Sequence, residues 1–365
     1  MPGPRGSAAP ARVSTVGGMP SSTVRFGVLG AARITPAALL APAATNPEAS
    51  VDVVAARDRD RAVTYARRRH IPRVAHSYEE VCADPAVDAV YVPLPNSLHA
   101  RWVLRALESG KHVLCEKPFT SNAGEAATVA AAADRAFEDA GLVVMEAFHY
   151  RYHPLARRMR EIVDSGELGR LGHIEAWLCA PIPNKSDIRY QEGLSGGAMM
   201  DMGSYVVHWA RLLGGGEPTV VSATPTLHTP EVDRAMTAEL EFPEGHTATV
   251  HCSMWSKSLL HVAARVTGDQ GELRVLNPIA PQAFSWLTVR TREGRRTELP
   301  PRRATYAYQL DAFCEAVLRG GPVLTPPADS VATMTVIDDV YRAAGLRPRG
   351  TFPTSPTATP LAPSP

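Results

Sequence analysis

The 365-residue sequence predicts an α/β chain: an amino-terminal, doubly wound parallel sheet with helices on both faces, then an α+β part with a mainly antiparallel open sheet. Three observations carry this. From Val24 to about residue 148, short apolar runs alternate with helical patterns, the signature of successive strand–helix–strand units. From His149 onward the pattern becomes alternating segments separated by turn signals such as Pro243-Glu244-Gly245 and Asp269-Gln270-Gly271, as in antiparallel sheets. Polar and charged residues follow the early apolar runs, at the edge where open parallel sheets bind ligands.

Composition excludes several classes. With 45% hydrophobic and 21% charged residues, the chain is ordinary globular material long enough for two cores. A net charge of +1 supplies no field to draw nucleic acid or an anionic membrane. The dense basic run Arg67–Arg69 ends an alanine-rich helical stretch and reads as a solvated face. No apolar run approaches the roughly 20 residues of a spanning helix, and the amino terminus has neither a secretory h-region nor a twin arginine. Five widely spaced cysteines without a CxxC pair suggest no disulfide framework or thiolate metal site and fit a reducing cytoplasm. The twelve histidines include no HExxH, so no metal is expected.

Residues 1–23, rich in Pro, Gly, Ser and Ala, and the Pro/Thr tail 347–365 carry no core-forming pattern and are expected to be disordered. Met19 stands just before the first strand as an alternative start. Order is expected from Val24, where VRFGVLG reads as a strand entering a glycine turn and AARITPAALLAPAA as the helix after it. This is the context of a dinucleotide fingerprint, with Gly30 in the first glycine place and Ala32 and Thr35 in the second and third. Gly30, Ala31, Ala32, Arg33 and Ile34 are the candidates to hold a pyrophosphate at the helix start; the alternative is a tight turn with no ligand. The second strand, VDVVAAR, ends without the acid that binds a ribose 2′-hydroxyl. Ala56 leaves room, and Arg57 brings a guanidinium suited to a 2′-phosphate, with Arg61 one turn on. NADP is therefore expected in preference to NAD, unless Asp58 merely caps the next helix while Arg57 faces solvent.

After a short third strand and the helix SYEEVCAD, the strand VDAVYVPLP leads to a loop with Leu94, Pro95, Asn96 and His99. Asn96 and His99, three apart, are expected on the first turn of the next helix, against the nicotinamide half of a cofactor; helix capping by Asn96 is compatible with that. Val113–Cys115 reads as a buried strand with Glu116, Lys117 and Pro118 at its carboxyl end. An acid and a base at that edge can do chemistry, and the proline restricts the backbone of Lys117. An alanine-rich helix at 121–140 and the strand LVVMEAF, ending in Glu146, complete a dinucleotide-binding domain at 24–148.

The second domain is placed at 149–346. YRYHPLARRMREIVDSGELG reads as one amphipathic helix, followed by alternating segments from HIEAWLCAPI to WLTVRTR. One helix interrupts them. In GGAMMDMGSYVVHWARLLGGG, Asp201, Tyr205 and His208 fall at i, i+4 and i+7 on one face, as the lining of a site or as a buried hydrogen-bond network. Two helices, YAYQLDAFCEAVLRGG and SVATMTVIDDVYRAAGL, end the ordered chain.

GVLGAARI, VVAARD, VPLPNSLH, LCEKPF, MEAF with Tyr150 and Arg151, and GGAMMDMGSY occur in this order. Together they resemble the glucose–fructose oxidoreductase/inositol dehydrogenase/rhizopine-catabolism (Gfo/Idh/MocA) family over residues 24 to about 346. The resemblance is greatest to the branch with dihydrodiol dehydrogenases, xylose dehydrogenases and sugar 3-ketoreductases, with Tyr205 where inositol dehydrogenases have His. It implies a Rossmann domain, a substrate domain whose open sheet often forms the oligomer interface, and NAD(P) between them. It also implies Lys117, Asp201 and Tyr205 around the reacting carbon, Pro118 often after a cis bond, Glu116 and Arg151 on the cofactor side, and His149, Tyr150 and His208 facing the substrate. Ser195 departs from the family's usual first glycine of a GGG run.

The activity expected is NADP-dependent hydride transfer to or from a secondary alcohol or carbonyl of a sugar, polyol or cyclic diol, in a cytoplasmic homodimer or homotetramer with no nucleic-acid or membrane partner. Tyr205 is expected to donate the proton, with the Lys117 ammonium favouring its phenolate. The alternatives are a non-catalytic dinucleotide-binding regulator and a sugar oxidoreductase or glycoside-cleaving relative that never releases its cofactor.

Overall fold

The computed structural model describes residues 22–257 and 260–350; the expectations for residues 1–21 and 351–365 lie outside them. Six parallel strands, β1 (Val24–Leu29), β2 (Ala49–Ala55), β3 (Arg73–Val74), β4 (Ala89–Val92), β5 (His112–Cys115) and β6 (Val144–Glu146), form a sheet in the order β3-β2-β1-β4-β5-β6. This is the doubly wound arrangement, with its switch between β1 and β4. Every residue of β4 is buried, which is why its sequence reads as an unbroken apolar run.

The second sheet holds β7 (Leu171–Cys179), β8 (Thr219–Leu227), β9 (Asp233–Glu241), β10 (Thr247–Ser253), β11 (His261–Gly268), β12 (Gly271–Leu276), β13 (Trp286–Thr291) and β14 (Gly294–Glu298), in the order β14-β13-β12-β11-β7-β10-β9-β8. All pairs are antiparallel except β7 with β10. Along β7, Ile174, Ala176 and Leu178 face the core while the residues between them are partly exposed, the period of a sheet covered on one face. The covering helix Ser204–Gly214 is buried at nearly every position.

Three expectations need correcting. The segment after β6 is not one helix: His149–Tyr152 is a 3₁₀ turn, and the α-helix runs Pro154–Asp164, starting where Pro154 supplies a pre-set φ and the His153 side chain caps Leu155 N–H. The division at residue 148 is not clean either. The helix Thr305–Arg319 returns to the first sheet, where Leu310, Phe313 and Cys314 join Phe26, Val28 and Tyr91 in one core, with Phe313 and Phe26 rings 5.4 Å apart. Finally, the packed chain extends past 346. Arg349 is 4% exposed, donates to Gly196 O (2.8 Å) and pairs with the fully buried Asp233 carboxylate at 2.9 Å. A charge so buried is tolerated because it is paired, and removing one partner strands the other.

Ending the chain after Leu346, or Arg349→Ala, should therefore lower unfolding free energy by about 3–5 kcal/mol. A chain ended after Gly350 retains the pair. Urea unfolding of the three proteins checks this, and equal midpoints would refute it.

Candidate active site

The carboxyl edge of the first sheet meets the second domain across a cleft of about 370 Å³. Its first-domain wall is the glycine turn after β1, together with the ends of β4 and β5. Gly30 has φ +107°, open to glycine at little cost, and a Cβ there would press on the Leu94 side chain at 3.1 Å. The turn is held from beneath: Arg61 donates to Ala31 O (2.8 Å) and Tyr65 to Ala32 O (3.0 Å). Ala32, Arg33, Ile34, Leu94 and Asn96 line the cleft as expected, whereas Pro95 precedes the short 3₁₀ turn Asn96–Leu98. Asn96 does not cap the helix; its side chain crosses to Ser195 O at 2.9 Å. Ser195 has φ +56°, a conformation that favours glycine, and its hydroxyl is tied to Ser121 Oγ at 2.9 Å.

Lys117 lies two residues past the end of β5, before a cis bond to Pro118. Its Nζ donates to Asp201 O (2.9 Å) and Oδ1 (2.8 Å) and lies 4.7 Å from the centre of the Tyr205 ring. Burial pushes the Asp201 carboxyl up, but Lys117 and Arg189 outweigh it and hold it down to about 2. Tyr205 shares a hydrogen bond of 3.0 Å with His149 Nε2, and His149 Nδ1 shares one of 2.7 Å with Thr305 Oγ1. Burial pushes the Tyr205 phenol well above its ordinary value. The ammonium therefore does not produce a phenolate: it faces the ring, not the hydroxyl, and Tyr205 is a phenol at neutral pH. Burial, reinforced by Lys117, lowers His149 to about 3, so its ring is neutral.

Other expected residues lie elsewhere. His99 is fully buried, its two ring nitrogens 2.8 Å from Pro118 O and Leu94 O; it braces the two cleft loops from behind and does not reach the cleft. Glu116 does border the cleft, but its carboxylate is engaged from behind, accepting from Tyr91 O–H at 2.6 Å, and burial raises its pKa. Tyr150 and His208 do not face the cleft either. His208 Nδ1 bonds the Tyr150 hydroxyl and Nε2 bonds Asp329 (2.9 Å), and His208 and Arg151 line a separate cavity of about 350 Å³. The cause is local geometry. Met199–Gly203 is a π-turn, so the face predicted for a regular α-helix is lost between Asp201 and His208, and the 3₁₀ turn at 149–152 sends successive side chains to different sides. The sequence reading also missed Asp187, Arg189, Thr305 and Tyr306. Tyr306 lies at the cleft with its ring 4.1 Å from that of His149. None carries a spacing signal, because each reaches the site only through tertiary packing.

Comparison with known proteins agrees with this architecture. Residues 24–145 match the oxidoreductase family model with an NAD-binding Rossmann fold, and residues 156–274 match the GFO/IDH/MocA C-terminal domain. The D-xylose 1-dehydrogenase (NADP(+)) 2 of Haloferax volcanii is 37% identical over 320 residues, 87% of this chain and 97% of its own. The chain belongs to the GFO/IDH/MocA oxidoreductase family. The human trans-1,2-dihydrobenzene-1,2-diol dehydrogenase is 30% identical over 84% of this chain and 91% of its own. KijD10, a 3-ketoreductase from Actinomadura kijaniata solved with NADP and TDP-benzene, superposes with TM-score 0.80 at 29% identity, covering 89% of this chain and 98% of KijD10.

As a member of this family the chain is a nicotinamide-dependent oxidoreductase, and two features of its own cradle fit a phosphorylated dinucleotide. Gly30 leaves backbone accessible at the turn, and Arg57, exposed just past the end of β2, has no side-chain partner among the described residues. Asp58 does cap the next helix, accepting from Arg61 N–H at 2.9 Å, and Arg57 faces solvent, which is the alternative raised from the sequence. Arg57 is available to a phosphate but is not held toward one, and the preference for NADP rests on the relatives.

The depressed His149 predicts a pH dependence. Between an unfolded value of about 6.5 and the folded value of about 3, the unfolded chain binds the additional proton. Stability from this group is thus complete above that window and lost as pH falls through it. His149→Gln should flatten, without abolishing, the fall in unfolding free energy from pH 6.5 toward 3, since His99 and His208 are also lowered by burial. An unchanged slope in denaturant titrations would refute this.

Proposed function

We propose that the protein is an NADP-dependent dehydrogenase or reductase acting on a secondary alcohol or carbonyl of a sugar, polyol or cyclic diol. The observation that carries this reading is Lys117: an amine fixed by two hydrogen bonds to Asp201, over the ring of a protonated Tyr205, at the floor of a cleft walled by a glycine turn. A binder without turnover has no use for a lysine held in that way. The xylose dehydrogenase, diol dehydrogenase and 3-ketoreductase relatives support the substrate class, and two of them carry NADP in their names or complexes. The exposed Arg57 is available to the 2′-phosphate.

The nicotinamide, when bound, supplies or takes the hydride. The turn from Gly30 to Ile34, with Leu94 and Asn96, holds the dinucleotide, and Arg57 holds its phosphate. Two N–H groups of Lys117 are taken by Asp201, leaving the third for the substrate oxygen, whose developing charge the ammonium stabilises. Tyr205 gives its proton to that oxygen in reduction and recovers it in oxidation. His149, in the tautomer that carries hydrogen on Nε2, donates to the Tyr205 oxygen and steadies it as the proton leaves, while Thr305 donates to Nδ1.

Five buried free thiols support a reducing compartment, and among the described residues no helix is long and apolar enough to cross a membrane. On the open face of the second sheet, partly exposed Trp177 stacks on His251 and His261, which supports self-association into a dimer or tetramer.

Two measurements test the reading. Arg57→Ala should weaken NADPH roughly ten- to hundredfold, the worth of a charged hydrogen bond, with NADH little changed; equal losses in fluorescence titrations would refute the phosphate role. Lys117→Ala and Tyr205→Phe should each lower kcat about two to four decades with NADPH binding nearly intact, assayed across keto sugars, aldoses and diols. A fully active Lys117→Ala would refute the assignment.

A further inference from the structure

The loop between β7 and the π-turn carries Asp187 and Arg189. Arg189 Nε donates to Asp201 Oδ2 at 2.7 Å, and its NH1 pairs with Asp187 Oδ1 at 3.1 Å. Asp187 Oδ2 accepts in turn from Arg33 NH2, on the glycine turn, at 2.7 Å. Five side chains thus alternate in charge from the cofactor turn to the cleft lysine: Arg33, Asp187, Arg189, Asp201 and Lys117. The links differ in weight. Arg33 is 83% exposed, so its pairing is screened and weak, whereas the side chains of Asp187 and Asp201 are 5% and 17% exposed.

Asp201 is the crowded member. One of its oxygens holds Lys117 and the other holds Arg189, so the carboxylate cannot turn about its own axis without breaking one link. A guanidinium suits this task because its fork is planar and rigid, and here Asp187 fixes the fork from the other side. The same contact acts on charge. Burial opposes ionisation of Asp201, and Lys117 and Arg189 are the two cations that overcome it. Without Arg189, one cation remains against the desolvation of the carboxyl, and one carboxylate oxygen loses its holder, so the group can turn and take the amine with it.

We propose that Arg189 is a positioning residue of the reaction: through Asp201, which it holds in one orientation, it sets where Lys117 presents its amine to the substrate. This rests on the reading of Lys117 as a catalytic residue, and the test separates the two.

The carboxyl carbon of Asp201 is followed by ¹³C NMR titration in the full-length protein, wild type, Arg189→Gln and Arg189→Lys. The midpoint is expected to rise by about one to three pH units in Arg189→Gln, with Arg189→Lys between it and wild type. In parallel, kcat and KM are measured against pH with NADP(H) and the same panel of keto sugars, aldoses and diols. Arg189→Gln should lower kcat roughly hundredfold, as expected for a misplaced group, with KM changed less. Its acid limb should move up with the Asp201 midpoint, whereas Lys117→Ala should lose activity at every pH. An Asp201 midpoint and acid limb unchanged in Arg189→Gln overturn the proposal and leave Lys117 standing. A uniform loss at all pH with an unchanged midpoint also overturns it, marking Arg189 as merely structural. Full activity in Lys117→Ala removes the reading on which it rests. Should Arg189→Gln fail to fold, the titration of Arg189→Lys against wild type decides.

Discussion

The cleft depends on one carboxylate. Lys117 comes from the end of a first-domain strand and Asp201 from the π-turn of the second domain, and the bond between them is what gives the lysine an address. Buried anions are costly, and this one persists because cations approach it from both sides. Much of the surrounding structure serves that arrangement. The π-turn aims Asp201, His99 braces the loop that carries Pro118, and the Asn96–Ser195–Ser121 seam stitches the neighbouring loops together.

Tyr205 shows how burial divides labour between groups that look alike on paper. A phenol and an amine within a few ångströms suggest a lowered phenol pKa, but the amine spends its hydrogen bonds on Asp201 and meets only the ring face. The hydroxyl instead shares a neutral imidazole with Thr305. The first domain thus brings the ammonium to the cleft, while the second brings the phenol hydroxyl with the imidazole and threonine behind it.

How much of this was legible in the sequence follows from the range of the forces involved. The doubly wound sheet was readable because strand and helix periods are local, and β4 and β5 are buried on both faces. That Asn96, Lys117, Asp201 and Tyr205 border one cleft was readable because each sits in a short motif with strand, turn or helix context. His208 was misplaced because 3.6-residue geometry was assumed across the π-turn, and Tyr150 and Arg151, placed by family resemblance, are turned away by the 3₁₀ turn that carries them. His99 was misplaced because a helix-start position says nothing of which carbonyls the ring will meet. Arg189 lies in a loop without periodicity, and only the fold brings it to Asp201. Arg349 sat in what reads as tail composition, yet its partner Asp233 lies 116 residues away.

The return of Thr305–Arg319 to the first sheet has a consequence for how this chain comes off the ribosome. A doubly wound domain at the amino terminus would ordinarily fold as soon as its own residues emerge. Here the face carrying Phe26, Val28 and Tyr91 waits for Leu310 and Phe313, which are made more than 280 residues after Phe26 (313 − 26 = 287). Until then that face is only partly covered, by Ala38 and Leu39, and the first domain's packing is completed only after the strands of the second sheet have been made. In that interval the chain carries apolar surface open to aggregation and gains from whatever shields it.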